Sequence, residues 1–118
     1  MSLRRILPVA LAAGAALLSA APADAGAGKT KTVKLYDNYF QPVDLKVAKG
    51  TTVKWKWPAD PIDVHDVKLK KGPDGAKKFH SEPASSGYVF KQTLKKKGTY
   101  KIICTLHEEM KMTIKVSG

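Results

Sequence analysis

The sequence predicts an all-β domain: a two-sheet, antiparallel Greek-key β-sandwich of seven or eight strands. Three observations carry this expectation. Apolar and polar residues alternate with period two through almost all of residues 29–118, so each segment has one face for a core and one for water. No segment repeats its apolar residues with the 3.6 period of a helix. Breaks rich in glycine, proline and aspartate end the alternating runs after a few residues. Short strands with one apolar face each must bury those faces against one another, and two packed sheets are the economical solution.

The first 28 residues stand outside this pattern. "MSLRRILPVALAAGAALLSAAPADAGAG" sets Arg4 and Arg5 before an apolar run from Ile6 to about Leu18 and then reaches Ala23-Asp24-Ala25. That is the order of a secretory signal peptide. The run falls short of the ~20 apolar residues of a membrane span. Residues 1–25 are therefore expected to be cleaved, and cleavage after residue 25 of 118 leaves 93. Residues 29–118 then form one exported domain, periplasmic or extracellular, with no stable membrane insertion.

The strands follow in order. "TVKLYDNYF" places Val33 and Leu35 on one face. "PVDLKVAKG" aligns Val43, Leu45 and Val47 and stops at Gly50. "TTVKWKWPAD" aligns Val53, Trp55 and Trp57, with Pro58 ending the run. "VHDVKLKKG" begins a further strand at His65, and "KKGPDGAKK" is a turn. "GYVFKQTLKKKG" aligns Tyr88, Phe90 and Leu94, with Gln92 as the exception. "TYKIIC" groups Tyr100, Ile102 and Cys104, and the last strand groups Met110, Met112, Ile114 and Val116. The long crossing between the fourth and fifth strands fits a Greek key.

The charge is strongly basic, with 21 Lys+Arg against 10 Asp+Glu and a formal net charge of +11. Loss of Arg4, Arg5 and Asp24 with the leader brings this to +10. Lysines alternate with apolar residues along the strands, which solvates outer faces and protects edges. The same surface can steer an acidic partner. Nucleic acid is not expected, since no binding motif is present.

The chemistry concentrates in "IICTLHEEMKMTIKV", residues 102–116, which holds the only cysteine. One cysteine cannot form an internal disulfide, so a metal is the natural staple for so small an exported domain. Three readings compete for Cys104: an apolar residue continuing the strand face, a nucleophile with His65 or His107 as base, and a metal ligand. The first leaves the following histidine and methionine without a role, and the second lacks oxyanion donors. In the third, "TLHEE" turns the chain so that Cys104, His107 and Met110 converge. Thiolate, imidazole and thioether favour copper over magnesium or calcium, and zinc rarely accepts a thioether. A trigonal His₂Cys set with a weak axial methionine needs a second histidine. His65 is the better candidate, and His80, in "KFHSEP", reads as an exposed loop residue.

Together these pieces resemble the cupredoxins, the small plastocyanin/amicyanin-like blue copper proteins. The resemblance rests on "YFQPVDLKVAKGTTVKWKW" (39–57), "HDV" (65–67), "GTYKIICTLH" (98–107) and "MKMTIKV" (110–116), in that order. It implies a cupredoxin sandwich and one copper ion held by His65, Cys104, His107 and a methionine. Met110 gives the shorter spacing and keeps the last strand in step, whereas Met112 would give a longer loop. It also implies a monomeric, non-enzymatic one-electron carrier that meets a redox partner protein, acidic if the lysines steer it. Copper storage or delivery is the alternative. Backbone amides near Thr105, and Asp66 from the other side, are placed to tune the sulfur and hold the loop. The chain departs from the family pattern at Asp66, Leu106, Glu108, Glu109 and Met112. The two glutamates make the exit surface around His107 more polar and favour Cu(II).

Overall fold

The computed structural model describes residues 28–118, so the leader expected at residues 1–25 lies outside the described residues. The strands are β1 (Thr30–Tyr36), β2 (Tyr39–Gln41), β3 (Asp44–Ala48), β4 (Thr51–Lys56), β5 (Lys68–Lys71), β6 (Val89–Leu94), β7 (Gly98–Ile103) and β8 (Lys111–Ser117). They form two four-stranded sheets, ordered β2-β1-β4-β6 and β3-β8-β7-β5. The expected all-β sandwich is present. No helix among the described residues is long and apolar enough to cross a membrane.

The sheets are mixed rather than antiparallel, because β1 pairs with β4, and β3 with β8, in parallel. The cause is one strand that changes sheets. β2 and β3 follow each other across Pro42 and Val43, with β2 beside β1 and β3 beside β8. Proline has no N–H to continue a ladder, so the switch falls there. After the Lys49–Gly50 turn, β4 returns to the first sheet running in the same direction as β1. Val43 was expected in the core with Leu45 and Val47. It lies at the switch and is 49% exposed, while its carbonyl accepts the Thr113 N–H at 2.9 Å.

The inner faces follow the alternation. Val33, Leu35, Phe40, Val53, Trp55, Ile102 and Ile114 are buried. Gln92 opposes Val53 and lines an open edge of the sandwich with Phe79 and Tyr100, where a polar side chain still reaches solvent. Lysines fill the outer faces. Lys46 lies opposite Lys115, Lys34 opposite Lys56 and Lys54 opposite Lys91. The strand expected from His65 starts three residues later, at Lys68. His65 instead sits in an irregular connection bridged to Ala84.

Two turns require unusual backbone conformations, one at each end of the sandwich. Asp37 and Asn38 form a two-residue hairpin loop between the paired Tyr36 and Tyr39. Asn38 adopts φ 74°, a left-handed conformation that asparagine tolerates better than most residues. At the opposite end of β7, Gly98 has φ 137°, and an added Cβ would meet the Pro73 Cβ at 2.7 Å. Gly98→Ala is therefore expected to cost about 2 kcal/mol, from backbone strain plus the clash. Chemical denaturation of the metal-free protein measures this, and an unchanged midpoint would show that the turn relaxes freely.

Candidate metal centre

The centre forms where β7 runs out. Cys104 continues the inward face of Tyr100 and Ile102 and is buried. The chain then turns back tightly: Met110 N–H donates to the His107 carbonyl, and Cys104 N–H donates to the Met110 carbonyl, each at 3.0 Å. This closure puts His107 at the tip and Met110 directly opposite Cys104. Met110 is fully buried. Met112 is buried too, but it pairs with Ile102, one step further down the ladder. The register thus sets Met110, not Met112, at the level of the thiol.

His65 arrives from the connection between β4 and β5. Its backbone exchanges two hydrogen bonds with Ala84, of 2.9 and 3.0 Å. The Trp57 indole N–H donates to the same Ala84 carbonyl at 2.8 Å. His65 is completely buried. Its Nδ1 lies 3.2 Å from His107 Nδ1 and 3.8 Å from Cys104 Sγ, and His107 Nδ1 lies 3.6 Å from Cys104 Sγ. Three donor atoms this close to one another can all reach a single ion. Two nitrogens, one sulfur and a buried thioether beside them suit copper better than zinc, calcium or magnesium. Among the described residues, His65, Cys104 and His107 make up the cluster of His, Cys and acidic side chains able to hold an ion.

Both imidazoles have a carboxylate behind them. His65 Nε2 is 3.1 Å from Asp37 Oδ1, so its N–H donates there and Nδ1 keeps its lone pair for the centre. Asp37 Oδ1 also accepts the Asp63 N–H at 2.9 Å. That backbone bond, with the one from His65, holds the Asp37 carboxyl below the usual carboxylate range. Asp63 Oδ2 lies 3.9 Å from His107 Nε2, a looser approach. His107 is 22% exposed, and Leu106 and Val64 lie open to solvent nearby in the chain. Glu108 and Glu109 are exposed as well.

Asp66 ties the two ligand segments together. It follows His65 in the chain, and its buried carboxylate accepts the Thr105 N–H at 2.7 Å and the Thr105 hydroxyl at 2.6 Å. His80 Nε2 donates to the same group at 2.8 Å. Burial pushes the Asp66 pKa up, but the hydrogen bonds from His80 and Thr105 outweigh it and hold it below the usual range. The stability this supplies is present above the unfolded value near 3.8 and is lost as pH falls through the lower folded value. Acid titration of the metal-free protein is expected to show that loss below about pH 4, and Asp66→Asn to flatten it. An identical acid limb in Asp66→Asn would place the acid-sensitive group elsewhere.

Burial raises the Cys104 thiol pKa, and the Asp66 charge adds to this, while the N–H groups of Asp66 and Leu106 pull it down. A thiol pushed up in this way is less nucleophilic than an exposed one. His80 is not one of the clustered donors. It is nonetheless no idle loop residue, given its bond to Asp66. The sequence carried no signal for Asp37 or His80. Asp37 reads only as a turn residue, and the partners of both lie 14 or more positions away.

A β-sandwich with one thiol and two imidazole Nδ1 atoms converging at a loop end, and a buried methionine beside the thiol, defines a mononuclear copper protein of the cupredoxin class. The sequence pattern of the copper binding proteins, plastocyanin/azurin family, matches residues 28–117, and the chain belongs to that family. A plastocyanin from Prochlorothrix hollandica is 34% identical over 108 residues, covering 84% of this chain and 78% of its own. Amicyanin from Paracoccus versutus superposes with a TM-score of 0.64 at 25% identity, covering 82% of this chain and 85% of that one. A Cu-containing nitrite reductase from Thermus scotoductus SA-01 gives 0.65 at 28% identity over 92% of this chain, which spans 25% of that longer one. Copper is the cofactor these findings assign to the chain.

Proposed function

We propose that the protein is a type 1 copper protein carrying single electrons, in which His65, Cys104, His107 and Met110 would hold the ion. The observation that carries this reading is the triangle of two Nδ1 atoms and one Sγ, with Met110 register-paired to the cysteine. Bound there, copper supplies a Cu(I)/Cu(II) couple. The chain's own residues do the rest. Strand β7 and the Ala84 bridge hold the donors on two separate segments, so little reorganisation accompanies a change of charge. Burial of His65, Cys104 and Met110 keeps water from the sulfur. His107, at the open edge, is the route by which an electron reaches the surface.

We read the protein as a carrier rather than an enzyme. We place it as a monomer in the periplasm or outside the cell, released by removal of residues 1–25. Directly opposed lysines on both outer faces support an acidic redox partner, because like charges face to face cost stability that a charge-seeking surface repays.

The decisive experiment loads the protein with copper and compares electron exchange with copper transfer. A carrier swaps electrons with a small redox dye in both directions and retains Cu(I) against a chelator. Ready loss of Cu(I) with slow electron exchange would favour delivery instead. Within the same experiment, Met110→Leu is expected to move the reduction potential and visible band more than Met112→Leu. The reverse order would reassign the axial ligand.

A further inference from the structure

We propose that His80 is a positioning residue of the copper centre, acting through Asp66 to clamp the Cys104–His107 loop against the His65 segment. The inference rests on the copper reading above for its electronic consequence and on the hydrogen bonds alone for its structural one.

The Asp66 carboxylate is the contact that joins the two ligand segments through side chains. It belongs to the residue after His65, and two of its three hydrogen bonds come from Thr105, the residue after Cys104. A carboxylate only 4% exposed is costly unless its oxygens are satisfied and its charge is offset. Oδ1 takes the Thr105 N–H, whereas Oδ2 is shared by the Thr105 hydroxyl and His80 Nε2. Without His80, a neutral hydroxyl is all that remains on Oδ2 among these bonds. The carboxylate would then turn toward solvent or drag Thr105 with it.

His80 is held to this task. Leu69 N–H donates to the Phe79 carbonyl at 3.0 Å, and Ser81 N–H donates to the Val67 carbonyl at 2.7 Å. The Ser81 hydroxyl accepts the Val67 N–H at 2.9 Å. Phe79 and Ser81 are both buried, so the residue between them is pinned along residues 67–69. Its ring stays 48% exposed, which keeps the outer nitrogen in water while Nε2 faces Asp66. An unattached loop histidine would show none of this bracing.

The electronic consequence has a definite sign. Negative charge beside the thiolate favours Cu(II) over Cu(I). A hydrogen bond from His80 draws charge away from the cluster, so its removal lowers the reduction potential.

The test uses the copper-loaded chain and the variants His80→Ala, His80→Gln, Asp66→Asn and His80→Ala/Asp66→Asn. His80→Ala is expected to lower the potential and weaken copper retention by about tenfold, the lower end for partners outside the ligand set. His80→Gln, whose amide N–H can replace Nε2–H, is expected to restore both. In the Asp66→Asn background, His80→Ala should change neither. A potential unmoved by His80→Ala, or moved equally in both backgrounds, overturns the proposal. Hydrogen exchange at the Thr105 amide in the metal-free protein decides the clamp independently. Several-fold faster exchange in His80→Ala supports it, and unchanged exchange rejects it. Absence of a copper band in the unaltered protein would sink the functional reading while leaving the exchange result to judge the clamp.

Discussion

Cys104→Ser is expected to abolish the intense thiolate-to-copper absorption of the loaded protein completely. The band requires sulfur-to-metal charge transfer, and Cys104 is the chain's only cysteine. A serine hydroxyl is a harder, far less acidic donor, so copper affinity should fall as well, by at least tenfold. The substitution is nearly isosteric, and the backbone bond from residue 104 to Met110 does not depend on the side chain. The fold should therefore survive, which far-ultraviolet circular dichroism would verify. Visible absorption and a competition titration with a chelator read the two effects. A band that persists in a folded Cys104→Ser protein would mean that the metal lies elsewhere.

The largest expected effect on stability comes from Trp55→Ala. Trp55 is completely buried on β4, a central strand. Its ring lies 5.8 Å from that of Phe79 and 5.9 Å from that of Phe90. Truncation removes these contacts and leaves a cavity between the sheets, at a cost of about 3–5 kcal/mol. Domains of this size have roughly 5–15 kcal/mol in total, so the variant sits near the edge of folding. Thermal unfolding of the metal-free protein should shift down by roughly 12–40 °C. Trp55→Phe should cost much less, because it keeps the aromatic packing and removes an indole N–H that has no hydrogen-bond partner. A small shift for Trp55→Ala would show that the two sheets close over the gap.

Period-two alternation makes Val33, Leu35, Val53, Trp55, Ile102 and Ile114 legible as core from the sequence, because a strand's facing is a local property. Parallel pairing of β1 with β4 was not legible. It follows from one strand crossing between sheets at Pro42–Val43, and an alternating pattern looks the same whichever neighbour a strand takes. Val43 was misplaced for that reason. The tight loop from Cys104 to Met110 could be read from the spacing of ligand-type side chains. His65 was legible as the better of the two remaining histidines and as what the family resemblance implies, but not its position, since 39 residues separate it from Cys104.

By itself the sequence determined the donor chemistry. A lone thiol, an imidazole three residues on and a thioether three beyond that can serve a soft metal, and alternating strands around them can only pack as sheets. Tertiary structure alone decided which further distant groups hold the centre: the Asp37 carboxylate behind His65 and the His80 ring on Asp66, and it alone set the bonds from Asp66 to Thr105. The physical reason is range. Side-chain type and strand facing are set within a few residues, whereas hydrogen bonds 14 to 39 positions apart exist only once the two sheets have packed.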